Sequence, residues 1–176
     1  TLVALQKSGS TVLAALPAIG ALESVSMVPS ATPCSTADTD PMAASPMHLA
    51  NGIVCAEFDA QGMLRALAVD GAELHLAGPA RFTLHEDHPA NAEEWDIDQS
   101  AYWLEVDPGV SLSLEVVETG PARVAVAAES KLGKNSKLRI TYSLNAGERV
   151  LRIAASIEWR EKRRLLRYLI PTDYRG

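Results

Sequence analysis

Residues 84–98 concentrate the side chains that could do chemistry. This fifteen-residue stretch holds three aspartates, three glutamates, two histidines and a tryptophan, in a sequence otherwise made of strand and turn patterns. Like charges repel and carboxylates resist burial, so a protein interior rarely holds so many of them together. The segment is therefore predicted to be either a solvated loop or part of a polar site.

The two histidines of this segment suggest a metal site as one alternative. His85 and His88 flank Glu86 and Asp87, and imidazole with carboxylate suits zinc. A spacing of three residues fits one face of a helix, but Pro89 and the surrounding strand patterns disfavour a helix. A solvated turn is the preferred interpretation, and no metal ligand is predicted in this chain.

Trp95, Asp96 and Asp98 suggest a second alternative, a surface that contacts sugar. An indole face stacks on the apolar side of a pyranose, while carboxylates accept hydrogen bonds from its hydroxyls. The commoner arrangement has Trp95 packed under the loop and Asp96 capping backbone amides, and it is preferred. Together with Asp87, these residues are the candidates for contact with a substrate or with another domain.

Other patterns do not predict a catalytic centre. Asp96 and Asp98 would share a strand face with Cα atoms roughly 6.5–7 Å apart, but nothing nearby indicates an acid with a raised pKa. No nucleophile elbow frames a serine, and no glycine-rich loop could hold phosphate. The basic run 160–164 is interrupted by Glu161, which favours a solvated hairpin or a domain contact. No catalytic residue is predicted in this chain.

Composition excludes two classes of partner. The 176 residues carry a net charge of −6 with a pI of about 5.2, which disfavours a nucleic-acid surface. The longest apolar runs are too short to span a bilayer, and no signal peptide is visible. With Cys34 in a loop and Cys55 in a strand pattern, the simpler interpretation is two reduced cysteines in a cytoplasmic protein.

The elements that would position these residues are strands. Turn signals recur about every 8–12 residues, and apolar residues alternate with polar ones between them, which predicts an all-β antiparallel sandwich. The predicted core consists of the apolar residues on these alternating faces: Phe58, Leu64, Leu67, Leu112, Leu114, Val116, Val124, Val126, Leu138, Ile140, Leu144, Leu151, Ile153, Ile157 and Trp159.

The chain divides into three predicted regions. Residues 1–28 read as an N-terminal strand group that belongs to a preceding β-region. Residues 29–46, rich in Pro, Ser and Thr, read as a long surface loop, because proline removes a donor from a strand ladder. Residues 47–176 read as the main β-sandwich, incomplete at its C-terminal end.

Several motifs, taken in order, resemble one enzyme family. They are a Pro-Ala-hydrophobic-Gly turn at 17–20, an Asn-Gly to Glu-Phe-Asp strand at 51–59, the acidic Trp-Asp segment, and Glu-Trp-x-Glu at 158–161 before Leu-Leu at 165–166. In this order they resemble the C-terminal β-region of glycoside hydrolase family 38, the retaining α-mannosidases, in a bacterial form.

The resemblance implies a large sandwich of the galactose-mutarotase-like kind. In that family the catalytic carboxylates and a zinc ion lie in an upstream α/β domain, which a helical bundle follows. The chain is then a fragment without its catalytic centre, with the missing domains and mannose-containing glycans as partners. Two alternatives stay open: a free-standing carbohydrate-binding module with Trp95, Tyr102 and Trp103 as its platform, and a structural sandwich from an unrelated protein.

Overall fold

Nearly all of the described chain is β-structure. The computed structural model describes residues 5–14, 16, 42–89 and 97–173. These residues form fourteen strands and one short 3₁₀ helix, Gln99–Trp103. The strands are β1 (Leu5–Ser8), β2 (Thr11–Ala14), β3 (Met42–Ser45), β4 (His48–Asn51), β5 (Val54–Phe58), β6 (Leu64–Val69), β7 (Ala72–Leu74), β8 (Arg81–Glu86), β9 (Glu105–Val106), β10 (Glu115–Glu118), β11 (Arg123–Leu132), β12 (Ser136–Asn145), β13 (Arg152–Glu158) and β14 (Arg164–Leu169). The predicted all-β fold class is confirmed.

Two antiparallel sheets form the sandwich. One has the order β3-β4-β5-β6-β7 and the other the order β10-β11-β12-β13. Strands β11 and β12 of the second sheet contact β3 and β4 of the first, so the sheets face each other. A smaller sheet, β14-β8-β9, and the β1-β2 hairpin complete the described strands. Every pairing is antiparallel, as expected for strands joined by short turns.

The core lies between the two main sheets and follows the predicted alternation. Tyr142 is fully buried on β12, with its ring centroid 4.7 Å from that of Phe58 on β5. Its hydroxyl lies 3.3 Å from that of Tyr168, and burial raises the pKa of both phenols. The predicted core residues that are buried are Phe58, Leu64, Leu112, Leu114, Val124, Val126, Leu138, Ile140 and Leu144. Leu67 and Leu151 are partly buried against them.

The prediction of burial is wrong for four residues. Val116, Ile153, Ile157 and Trp159 remain 36–40% exposed. Val116 lies on β10, the other three on or beside β13, and these strands are the two edges of their sheet. Alternation identified the side of the sheet that faces the core, but at the edges the opposite sheet does not cover that side.

The predicted loop 29–46 requires a correction at its C-terminal end. Met42–Ser45 forms strand β3, which pairs with β4. Pro41 and Pro46 flank this strand, and it lies at the edge of its sheet, where a missing backbone donor is tolerated. Residues 17–41, which include Cys34, lie outside the described part of the chain.

Gln6 joins the N-terminal hairpin to the sandwich. Its Nε2 donates to the Arg123 carbonyl at 2.7 Å, and its Oε1 accepts from the amides of Ala122 at 3.0 Å and Arg123 at 2.7 Å. The side chain is 6% exposed, and a Cβ added at Gly120 would approach it to 2.6 Å. The hairpin therefore docks closely on the main body, while the predicted three-region division stays a prediction.

Asn51 joins the β4–β5 turn to the end of β12. Its Oδ1 accepts from the amides of Ile53 at 3.0 Å and Val54 at 2.7 Å. Its Nδ2 donates to the carbonyls of Asn145 and Glu148, both at 2.7 Å. The buried amide thus uses both donors and both lone pairs of its oxygen, as a buried Asn requires.

Glu161 closes the turn between β11 and β12. Its Oε1 accepts from the amides of Lys134 at 2.9 Å, Asn135 at 2.7 Å and Ser136 at 3.2 Å, and from the Ser136 hydroxyl. Ser136 Oγ in turn accepts from the Arg160 amide. The Asn135 amide, with those of Lys134 and Ser136, holds the pKa of Glu161 below its usual range. Glu161, which follows β13, therefore stabilises the turn that connects β11 to β12.

No helix in the described residues is long and apolar enough to cross a membrane.

Candidate functional site

The acidic segment begins at the end of β8, where the 3₁₀ helix contacts that strand. Strand β8 pairs with β14 on one side and with β9 on the other. At the strand end, the Glu86 amide donates to the Leu104 carbonyl at 2.9 Å and the Asp87 amide to the Arg163 carbonyl at 3.0 Å. The first bond brings the start of the segment beside the residue that follows the helix, and the second joins it to the residue before β14.

Asp98 begins the 3₁₀ helix as its N-cap. Its Oδ1 accepts from the Ser100 amide at 2.9 Å, and its carbonyl accepts from the Ala101 amide at 2.9 Å. Short carboxylates at this position satisfy amides that have no partner within the helix. Capping was the role considered for Asp96, which lies outside the described residues; among the described residues Asp98 has such a role.

An exposed apolar surface lies on and around this helix. It consists of Ile97, Tyr102, Trp103 and Leu104, called here the aromatic patch. Trp103 is 84% exposed, and the other three are 41–43% exposed. Tyr102 is ordered by Arg167, whose guanidinium carbon lies 4.9 Å from the ring centroid. A large, almost bare indole next to fixed aromatic and aliphatic side chains is typical of a surface that contacts something else.

Charged groups surround the aromatic patch. Glu86 Oε1 lies 2.8 Å from Arg164 Nη1, and its Oε2 lies 3.2 Å from His88 Nε2. The hydrogen bond from Arg164, followed by that from His88, holds the pKa of Glu86 below its usual range. Among the described residues, Asp87 is half-buried and its carboxylate makes no hydrogen bond. Asp87 therefore keeps its carboxylate available to a further partner.

The histidines of the segment do not form one cluster. His85 is buried on β8, where its Nε2 lies 3.0 Å from the Thr83 hydroxyl, and its buried Nδ1 has no partner among the described residues. His88 is exposed and contacts Glu86. The described part of the chain contains no group of three or more His, Cys, Asp or Glu placed to hold a metal ion. The residues around His85 and His88 therefore do not fit a zinc site.

The sequence-predicted site is only partly described. Trp95 and Asp96 lie outside the described residues. Asp87 lies near the start of the segment and Asp98 at its end. Asp98 caps one end of the 3₁₀ helix, and Leu104 at the other end accepts a hydrogen bond from the amide of Glu86, the neighbour of Asp87. The sequence pointed to Trp103 only as part of a free-standing sugar platform, and it did not point to Leu104. The sequence feature that could have identified them is the run Tyr102-Trp103-Leu104, in which apolar residues do not alternate with polar ones as they would in a core strand.

A depression lies on the outer face of β5, β6 and β7. It encloses about 300 Å³ and is lined by Cys55, Glu57, Arg65 and His75 among others. Cys55 Sγ lies 3.3 Å from His48 Nε2. Burial, and then the Glu57 charge, raise the pKa of the Cys55 thiol, so the sulfur is protonated and a poor nucleophile. The arrangement lacks the activation that covalent catalysis needs.

The aromatic patch therefore offers a contact surface, with stacking area and charges at its edge.

A comparison with family models finds a match over most of the chain. The model described as the glycosyl hydrolases family 38 C-terminal domain matches residues 49–176, well over half of the chain. A search of curated proteins found no match.

Proposed function

Because the chain belongs to glycoside hydrolase family 38, in which it corresponds to the C-terminal domain, we propose that it is a non-catalytic β-sandwich part of a retaining α-mannosidase. In this proposal the complete enzyme removes terminal α-mannosides from glycans or oligosaccharides. The sandwich stiffens the catalytic domain and supplies part of the wall of its cleft. A cytoplasmic location for the enzyme remains a prediction.

The aromatic patch carries the proposal. At 84% exposure, Trp103 contributes little burial energy to the fold of this chain. Tryptophans and tyrosines buried at interfaces contribute much of the free energy of protein contacts. Asp87 and the Glu86–Arg164 pair supply the polar edge that surrounds such apolar centres. This combination fits a surface that packs against the catalytic domain, with Trp95 and Asp96 as further proposed contacts.

The reaction itself is assigned to the catalytic domain. A retaining glycosidase needs two carboxyl groups about 5–5.5 Å apart, one as nucleophile and one as acid and base. The zinc ion is likewise proposed to bind in that domain, where its coordination of the sugar would serve the reaction.

The isolated chain is expected not to hydrolyse aryl α-mannosides, with or without added zinc. Without a positioned carboxylate pair no glycosyl-enzyme intermediate can form. The measurement is release of the aryl alcohol, with a longer polypeptide that includes the catalytic domain as the positive control. Zinc-dependent turnover by the isolated chain that Asp98→Asn abolishes would place the chemistry in this chain and contradict the proposal.

A carbohydrate-binding module is the second candidate, and the exposure of Trp103 beside Tyr102 is the observation that favours it. Two neighbouring aromatic rings could stack against sugar rings with no catalytic domain present. In that case the isolated chain would bind mannose oligosaccharides by itself.

Trp103→Ala separates the two candidates. In the isolated chain we expect an unchanged melting temperature, because the indole is already exposed. In the longer enzyme we expect kcat/KM and the melting temperature of the catalytic domain to fall, with a loss of about 2 kcal/mol or more of domain contact. Met47→Ala, which removes another half-exposed apolar side chain, is the matched control and should change neither.

The opposite result would favour the second candidate. If the isolated chain binds mannose oligosaccharides in calorimetry and Trp103→Ala removes this binding, while the longer enzyme keeps its kcat/KM, the patch is a sugar platform and not a domain contact.

A further inference from the structure

Strand β13 is an edge strand with unusual exposure. It pairs only with β12 among the described strands, and all seven of its residues are exposed. Its register against β12 runs from Arg152 opposite Ser143 to Glu158 opposite Lys137 without a bulge. A long, regular and unpaired edge displays backbone donors and acceptors that can accept another strand.

The opposite edge of the same sheet is protected. Strand β10 has four residues, two of them glutamates at its ends, and its pairing with β11 shifts register between Val116 and Glu118. Charged residues, short length and bulges are the devices that keep sheet edges from pairing. Strand β13 has neither proline nor bulge, so the two edges of one sheet differ in their capacity to add a strand.

The sequence of β13 is complementary to itself when read antiparallel. With Ala155 opposite Ala155 of a second copy, Ile153 lies opposite Ile157. The same register places Leu151 opposite Trp159 just beyond the strand ends. All of these residues lie on the side of the sheet that faces the core on β12, since Ile153 pairs with Tyr142 and Ile157 with Leu138.

The other side of β13 is complementary in charge. In the same register Arg152, which contacts Glu148 within the chain, lies opposite Glu158 of the second copy. Glu158, which lies 3.7 Å from Arg160 within the chain, lies opposite Arg152 of that copy, so two further ion pairs form by symmetry. Ala154 then lies opposite Ser156, which avoids any clash between them. Directly opposed side chains on antiparallel strands are close enough to interact, with Cβ atoms about 4.5–5.5 Å apart.

We propose that β13 pairs with β13 of a second copy of this chain and forms a symmetric dimer. The twofold axis passes through Ala155, and the two four-stranded sheets become one continuous sheet. Such an interface is isologous, with the same patch on both copies. Its three contributions are the backbone ladder, the apolar strip of Leu151, Ile153, Ile157 and Trp159, and the two Arg152–Glu158 pairs.

Charge reversal on β13 tests this register. Arg152→Glu places two glutamates opposite each other at both ends of the ladder, and Glu158→Arg does the same with arginines. Each variant alone is expected to raise the dimer Kd of the 176-residue chain by about tenfold or more, measured by sedimentation equilibrium. The double variant Arg152→Glu/Glu158→Arg restores opposite charges and should recover the dimer.

A mixture of the two single variants provides the sharpest test. Each variant alone is expected to be mostly monomeric, whereas an equimolar mixture should form heterodimers. In a heterodimer, positions 152 and 158 carry glutamates on one copy and arginines on the other, so both cross-strand pairs again join opposite charges. Loss of fold stability in either variant would not be rescued by mixing. Arg65→Glu, which breaks the exposed Arg65–Glu57 pair on the other sheet, is the control and should leave the dimer Kd unchanged.

Three results would overturn the proposal. One is a chain that stays monomeric at all concentrations, which would favour a strand from elsewhere in a longer polypeptide, or from another protein, as the occupant of this edge. Another is a dimer that both single reversals leave intact, and the third is a mixture that forms no heterodimers. None of them bears on the proposed function, which rests on the aromatic patch.

Discussion

Asn51→Ala is expected to destabilise the fold by roughly 3–4 kcal/mol. The variant leaves two amides at the start of β5, those of Ile53 and Val54, without their acceptor, and two carbonyls, one at the last residue of β12 and one after it, without their donor. The side chain is 3% exposed, so water does not readily replace it. Urea denaturation of the isolated chain measures the loss as a lower midpoint at an unchanged slope.

Asn135→Ala is the matched control for this loss. Asn135 lies in the β11–β12 turn with an exposed side chain, and only its backbone amide is bonded, to Glu161. Its replacement should change the free energy of unfolding by less than about 0.5 kcal/mol. Equal losses in the two variants would show that the four bonds of Asn51 contribute no more than an ordinary surface asparagine.

Gly62→Ala is expected to cost roughly 3–4 kcal/mol of stability, because a positive φ and a steric clash act together. Gly62 lies in the β5–β6 turn at φ 72°, and a Cβ there would approach both the Cβ and the carbonyl oxygen of Leu112 to 2.7 Å. Leu112 is buried in the core and its backbone cannot yield cheaply. Thermal or urea unfolding of the isolated chain measures the cost.

Gly71→Ala separates the two causes. Gly71 has nearly the same φ, 75°, but an added Cβ would meet nothing within 4 Å. The cost there should be only the backbone term of about 1–2 kcal/mol. If both variants lose the same stability, the close approach between the β5–β6 turn and Leu112 is not a constraint on the fold.

The fold could be predicted from the sequence where local patterns decide it. Alternation marked Leu138, Ile140 and Leu144 as one face of β12, and all three are buried. The turn signals at Asp70-Gly71 and at 145–147 lie at turns in the structure. In each case the information is short-range, since a period of two and a residue that accepts positive φ are properties of a few consecutive residues.

The exposure of the edge strands could not be predicted from the sequence, because it depends on how far the opposite sheet extends. The strip on β13 alternates as regularly as that on β12, yet Ile153 and Ile157 stay more than a third exposed. Period identifies the inner face of a strand but says nothing about how far the facing sheet extends. Strand β3 was missed in the sequence, because Ala43 and Ala44 give only a weak apolar alternation between two prolines.

The candidate site could be predicted only as a region. The density of carboxylates in residues 84–98 indicated a polar surface, and Asp98 caps the helix that carries part of the aromatic patch. The roles within it depend on pairings that sequence does not contain: that Asp98 caps a helix, and that Arg164 and Arg167 of β14 reach Glu86 and the Tyr102 ring. The two arginine contacts join residues about 65–80 positions apart, beyond the range of any local pattern.

The link between Glu161 and the β11–β12 turn also acts on the nascent chain. The turn amides at 134–136 precede their acceptor by 25–27 residues. At ordinary rates of translation, on the order of 5–20 residues per second, the hairpin waits a few seconds for the carboxylate that closes it. For most of that interval β12, with Ile140 near its centre, lacks its neighbour β13. A pause in translation after this hairpin has left the ribosome, and before residue 161 follows it, would lengthen this period, in which the hairpin is open to wrong partners and to chaperones.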